Sequence, residues 1–80
     1  MDLQTLGKAI STLRQQNGVS QLKMAEHLGI SRATINALEN GRSGDVGIRK
    51  VMAILDYLGK ELAIRDKSPF PTLEELRDGQ

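Results

Sequence analysis

Between residues 31 and 42 the chain reads Ser-Arg-Ala-Thr-Ile-Asn-Ala-Leu-Glu-Asn-Gly-Arg. Ser31, Arg32, Thr34, Asn36, Glu39 and Asn40 are polar, and few of them are good helix formers. An exposed helical face in an ordinary domain more often carries Lys, Glu and Gln. Short polar side chains let a backbone come close to phosphates and base edges, where Arg can fork onto a guanine, Asn can pair with an adenine and an Ala methyl can touch a thymine methyl. Catalysis finds no comparable support. Cysteine is absent, which excludes disulfides, thiolate metal sites and thiol chemistry together. The one histidine, His27, has no second histidine or cysteine near it and reads as an exposed side chain. Ser20 and Ser31 read as helix caps, and there is no phosphate-binding glycine loop. The sequence is therefore expected to be a non-enzyme without metal or cofactor.

Four blocks of apolar residues at helical spacing position these side chains. The first holds Leu3, Leu6, Ile10 and Leu13, opened by Asp2 and closed by Asn17-Gly18. The second starts at the cap Ser20 and runs through Leu22, Ala25 and Leu28 to Gly29. The third is capped by Ser31, faces inward with Ile35 and Leu38, and closes at Asn40-Gly41. The fourth has Ile48, Val51, Met52, Ile54, Leu55 and Leu58 as its buried face and ends at Gly59, with Asp45 and Gly47 both available as its cap. Met24 reads as surface and Met52 as core filler. Leu62, Ala63 and Ile64 follow a glycine stop, are too few for a helix and suit a short strand with no partner in its own chain. The tail has Thr72 and Glu75 placed as a capping box, but a helix so short is marginal alone.

Eighty residues, 39% hydrophobic and 26% charged, make one small domain. A folded chain of this size buries only about 60% of the surface its unfolded form exposes, so a large catalytic cleft is not expected and a partner chain would help stability. The formal net charge of +1 averages a body, residues 1–67, of net +3 and a tail, residues 68–80, of net −2. One Tyr and one Phe are too few aromatics for single-strand binding by base stacking. The N-terminus lacks a basic segment followed by an apolar run, and no stretch approaches the ~20 apolar residues of a membrane span. These features point to a cytoplasmic location with no membrane contact.

Two short helices joined by Gly29-Ile30-Ser31 make a helix-turn-helix unit, whose second helix is the one that enters a DNA major groove. At this point the chain resembles the Cro and lambda-repressor type of helix-turn-helix proteins, the XRE family. The resemblance is carried by Val19-Ser20-Gln21, Leu28-Gly29-Ile30-Ser31 and Leu38-Glu39-Asn40-Gly41-Arg42, and spans about residues 3–59. It implies an all-α bundle of four to five helices in residues 1–59; beyond it, residues 60–67 read as a dimerisation strand and 68–80 as a flexible acidic tail. It implies a phosphate contact at Gln21, base-edge contacts at Arg32, Ala33 and Asn36, and further DNA contacts at Ser31, Thr34, Asn40 and Arg42. Ala37 departs from the family, which often has a longer polar side chain there. An acidic residue on a DNA-reading helix is repelled by phosphate, so Glu39 should turn inward, and the resemblance implies that it pairs with Arg14.

One such domain reads few base pairs, and two copies on a two-fold axis read a palindrome with recognition helices about 34 Å apart. Pairing of Leu62, Ala63 and Ile64 across two protomers would build that homodimer. The strand followed by a polar tail is also similar to the HipB-type antitoxins of the family, and Gly44-Asp45-Val46-Gly47-Ile48-Arg49-Lys50 adds to the likeness. That likeness implies a nucleoid-associated repressor of its own operon that binds a palindromic operator and a HipA-type kinase toxin. The alternatives are a phage-type or metabolic repressor without a toxin, and a protein-interaction module on the same fold.

Overall fold

Asp2, Ser20 and Ser31 each start a helix by the same device. Their side chains accept hydrogen bonds from the main-chain N–H groups of Thr5 at 2.7 Å, Lys23 at 3.0 Å and Thr34 at 3.0 Å. Each serine cap is worth about 1 kcal/mol. The bond from Thr5 also holds the Asp2 carboxyl below its ordinary range. The computed structural model describes residues 2–42, 44 and 46–67, in which the chain forms α1 (Leu3–Gln16), α2 (Gln21–Leu28), α3 (Arg32–Glu39) and α4 (Ile48–Tyr57). Gly29 adopts φ +66°, a left-handed value that costs a glycine nothing, and α3 begins three residues after it. Gly47 caps α4 without a side-chain bond. Asp45, the other expected cap, lies outside the described residues, as does the capping box at Thr72 and Glu75.

The core is a single apolar cluster in which Ile10, Met24, Ile35, Leu38 and Ile54 are fully buried. Ala25, Val51, Leu55 and Leu58 complete it. Burying each large aliphatic side chain contributes about 1.5–3 kcal/mol, so these few residues dominate the stability of the domain.

Three inward assignments from the sequence need correction. Met24 is fully buried whereas Met52 is 52% exposed, the reverse of the expected roles. Leu22 is exposed, because the inward stripe of α2 runs through Gln21, Met24, Ala25 and Leu28 at helical spacing rather than through Leu22. On α4 the stripe is Val51, Ile54, Leu55 and Leu58, which turns Ile48 as well as Met52 into solvent. Residues 60–67 form neither helix nor strand in the single chain, and Leu62 and Ile64 are exposed. Among the described residues, no helix is long and apolar enough to cross a membrane.

Helices α1 and α3 meet backbone to backbone at Gly7. This glycine is buried, and a Cβ placed on it would overlap the main-chain carbonyl oxygen of Leu38. Main chain meets main chain there, with no flexible side chain to yield. Gly7→Ala should therefore destabilise the fold by about 1–3 kcal/mol despite the better helix propensity of alanine. In a domain of this size that is a fall in melting temperature of about 5–20 °C in a calorimetric scan.

Candidate nucleic-acid interface

Glu39 is the last residue of α3, yet its side chain is only 4% exposed. Arg14 on α1 closes on it as a fork. Its Nε donates to Oε2 at 2.7 Å and its Nη2 donates to Oε1 at 3.0 Å, while Nη1 donates to the carbonyl of Val19 at 2.8 Å. From the first turn of α2, Gln21 Nε2 donates to Glu39 Oε1 at 3.0 Å. One carboxylate thus ties α1, α2 and α3 together. Burial by itself would push the Glu39 carboxyl up, but hydrogen bonds from Arg14 and Gln21, the Arg14 charge and lesser help from Ser11 hold it below its ordinary range. The bond with Glu39 in turn raises the Arg14 guanidinium, against the opposing effect of burial. The expected pairing of Arg14 with Glu39 is present, and charge-assisted and bidentate, which is the strong form of such a bond.

The outward side of the same elements carries the residues expected to meet DNA. Arg32 and Ala33 are exposed, and with Gln21 and Asn36 they line one shallow open notch. Asn36 Oδ1 accepts from Asn40 Nδ2 at 2.9 Å and lies 3.5 Å from Gln21 Nε2. Asn40 Nδ2 also donates to the Asn36 main-chain carbonyl at 2.8 Å. Ser31 and Thr34 pair through their hydroxyls at 2.7 Å at the start of α3. Arg42 is exposed, and its main-chain N–H donates to the Ala37 carbonyl at 2.9 Å. Ala37 itself is half-buried. Leu62, Ala63 and Ile64 are exposed and follow α4 rather than lining this notch.

Two helix starts thus flank a notch, with the second helix presenting Arg32, Ala33 and Asn36. A family model described as helix-turn-helix matches residues 10–64, more than half of the chain. The chain belongs to that family, the XRE-type helix-turn-helix proteins. This helix-turn-helix protein is also similar to solved structures. A chain of the structure described as the HipA-HipB-O2-O3 complex is 29% identical to it, with a TM-score of 0.75 over 85% of this chain and 94% of that one. A chain of the HipB-O4 20mer complex gives the same figures. Comparison with curated proteins finds no match.

Within this helix-turn-helix protein, three features escaped the sequence reading. Gly7 sets the approach of α1 to α3, and its signal was a glycine in the middle of a helix. Gln21 turns inward to Glu39, which its place on the same helical stripe as Met24, Ala25 and Leu28 would have indicated. His27 is exposed as expected but not alone, since its Nδ1 lies 2.7 Å from the Tyr57 hydroxyl and joins α2 to α4. No local pattern links residues so far apart in sequence. Among the described residues, no three His, Cys, Asp or Glu side chains gather where they could hold a metal ion.

Replacing Glu39 by glutamine leaves the Arg14 guanidinium without its counter-charge and should cost about 2 kcal/mol at pH 7. Because the folded carboxyl is held below its ordinary range, the stabilisation is complete above the ordinary carboxylate pKa of about 4.3 and is lost as pH falls through the depressed folded value. Denaturant titrations at stepped pH should show that acid-side slope in the wild type and a flatter one in Glu39→Gln.

Proposed function

We propose that this protein is a dimeric, sequence-specific repressor that reads a palindromic site in double-stranded DNA, and that it is the autoregulating antitoxin partner of a HipA-type kinase. The observation that carries the reading is the notch of Gln21, Arg32, Ala33 and Asn36, four side chains from α2 and α3 on one open surface. An exposed Arg and a half-buried Asn on a short helix with its packing face buried suit a major-groove edge. In this reading Arg32 forks onto a guanine, the Ala33 methyl meets a thymine methyl, and Asn36 meets a base edge between them and the phosphates.

The flanking contacts follow from the hydrogen bonds already made. Gln21 has its side-chain amide on Glu39, so it serves a phosphate through its main-chain N–H, one of the amides that a helix start leaves free. The Ser31 and Thr34 hydroxyls and the Arg42 guanidinium complete the phosphate set. Asn40 stands beside them, with its amide holding Asn36. The net +3 of residues 1–67 supports binding to a polyanion, and Glu39 does not oppose it because its charge is answered within the fold.

Support for the dimer comes from the apolar side chains that the single chain leaves in water. Ile48 and Met52 on α4 are exposed, and so are Leu62 and Ile64 after it. Paired strands from residues 60–67 of two protomers would satisfy the lone segment and cover these side chains. The antitoxin setting is supported by the likeness to chains solved in complexes that name HipA, HipB, O2, O3 and O4. The reading places the protein in the cytoplasm on the nucleoid and assigns it no catalytic step and no cofactor.

Selection of bound sequences from random duplexes should return a palindromic motif, with affinity falling steeply as salt rises. Arg32→Ala should lose about 1–3 kcal/mol of discrimination at one base pair in each half-site. Recovery of no motif, or of an unchanged one with the variant, would overturn the reading. Deleting residues 61–80 should turn the dimer into a monomer in sedimentation and weaken binding to the full palindrome far more than to a half-site. A tight dimer after that deletion would remove Leu62, Ala63 and Ile64 from the interface.

A further inference from the structure

Which end of the Asn36 amide faces the notch follows from two anchors that permit only one answer. The Asn40 amide approaches the Asn36 main-chain carbonyl at 2.8 Å, and a carbonyl only accepts, so the Asn40 atom must be its nitrogen. The same nitrogen lies 2.9 Å from the end of the Asn36 side chain, which must therefore present its oxygen. From the other side, the Gln21 amide lies 3.0 Å from the Glu39 carboxylate, which also only accepts when ionised, so that atom is a nitrogen too. It stands 3.5 Å from the same Asn36 oxygen. Asn40 thus donates to Asn36 Oδ1 at full hydrogen-bond distance, and the Gln21 donor faces the same oxygen at a longer range from its other side. The group left for a ligand is Nδ2, with its two hydrogens.

We infer that Asn36 is a donor-only reader that selects guanine, because its oxygen is held by Asn40 and faced by the Gln21 amide, making Asn40 a specificity-determining residue that itself meets no base. The inference rests on the proposal that α3 reads a major groove. Bidentate pairing of Asn with adenine needs the side-chain oxygen to accept from N6 while the nitrogen donates to N7. Here the first half of that pair is spent inside the protein. A guanine edge presents two adjacent acceptors, N7 and O6, and matches an NH2 group with both hydrogens free. Adenine at that position would leave its N6 hydrogens facing the donor group of Asn36, an unpaired donor against a donor. The expected adenine contact at Asn36 is thereby replaced by a guanine contact, with the identity of the base set one helical turn away.

The test is selection from random duplexes with three full-length proteins, the wild type, Asn36→Ala and Asn40→Ala, each checked for folding by its helical circular dichroism and melting curve. The pair read by Asn36 is the one whose preference relaxes about five- to a hundredfold in Asn36→Ala. The wild type should prefer G·C there, and Asn40→Ala should move the preference toward A·T by freeing one lone pair of Oδ1. A wild-type preference for A·T at that pair, or a G·C preference that Asn40→Ala leaves unchanged, overturns the inference. So does a motif that Asn36→Ala does not alter. A motif that depends on Arg32 while any of these holds leaves the DNA-reading proposal standing, whereas no motif from the wild type sinks both.

Discussion

A carboxylate at the C-terminal end of a helix stands against the negative end of the helix dipole, and one withdrawn from water loses its hydration as well. Glu39 does both. Its charge is tolerable only because Arg14 answers it through two bonds and Gln21 adds a third. The consequence is architectural, since the three donors come from α1 and α2 while the acceptor belongs to α3. The seat of α3 against α1 is thus held by a directional fork, and its place beside α2 by the bond from Gln21, on top of the apolar packing of Met24, Ile35 and Leu38. Packing alone tolerates small slides between helices, whereas a forked bond at 2.7 and 3.0 Å does not.

From that node the polarity of the surface runs outward in a fixed direction. Glu39 accepts from Gln21, the Gln21 amide faces Asn36, and Asn40 closes on Asn36 from the following turn. Every side chain in the chain of contacts has its donor and acceptor ends chosen by its neighbour. An interface built this way presents a hydrogen-bond pattern before any ligand arrives, and pre-set polar groups lose less entropy on binding than free ones. The buried charge and the exposed notch are therefore two ends of one network.

The helices and their caps were legible in the sequence because each rests on local chemistry: Asp2, Ser20 and Ser31 at the starts, Gly29 at the turn. The inward turn of Glu39 was legible too, since its charge left few other places for it. What failed was the choice of stripe where two registers were both apolar. Leu22 is more hydrophobic than Gln21 or Met24, so composition favoured it, but the geometry of a short helix wedged beside α3 buried Met24 and aimed Gln21 at a carboxylate. Met52 and Ile48 belong to a second apolar stripe on α4 that one chain cannot cover. Periodicity shows that a face is apolar without showing what it faces. Contacts between distant residues, such as His27 with Tyr57, leave no local mark at all.

The place where α1 touches α3 has a geometric consequence at the opposite end of the helix. Gly7 lies against Leu38 and Glu39, in the last turn of α3, while Arg32 and Ala33 stand at its first turn. An eight-residue helix is about 12 Å long, so a tilt forced on α3 at that glycine is carried to its first turn. A tilt of about 5° there moves the far end by about 1 Å, which is larger than the positional tolerance of about 0.5 Å that a built recognition site allows. A single hydrogen atom in place of a methyl group on α1 thus fixes the aim of side chains it never touches.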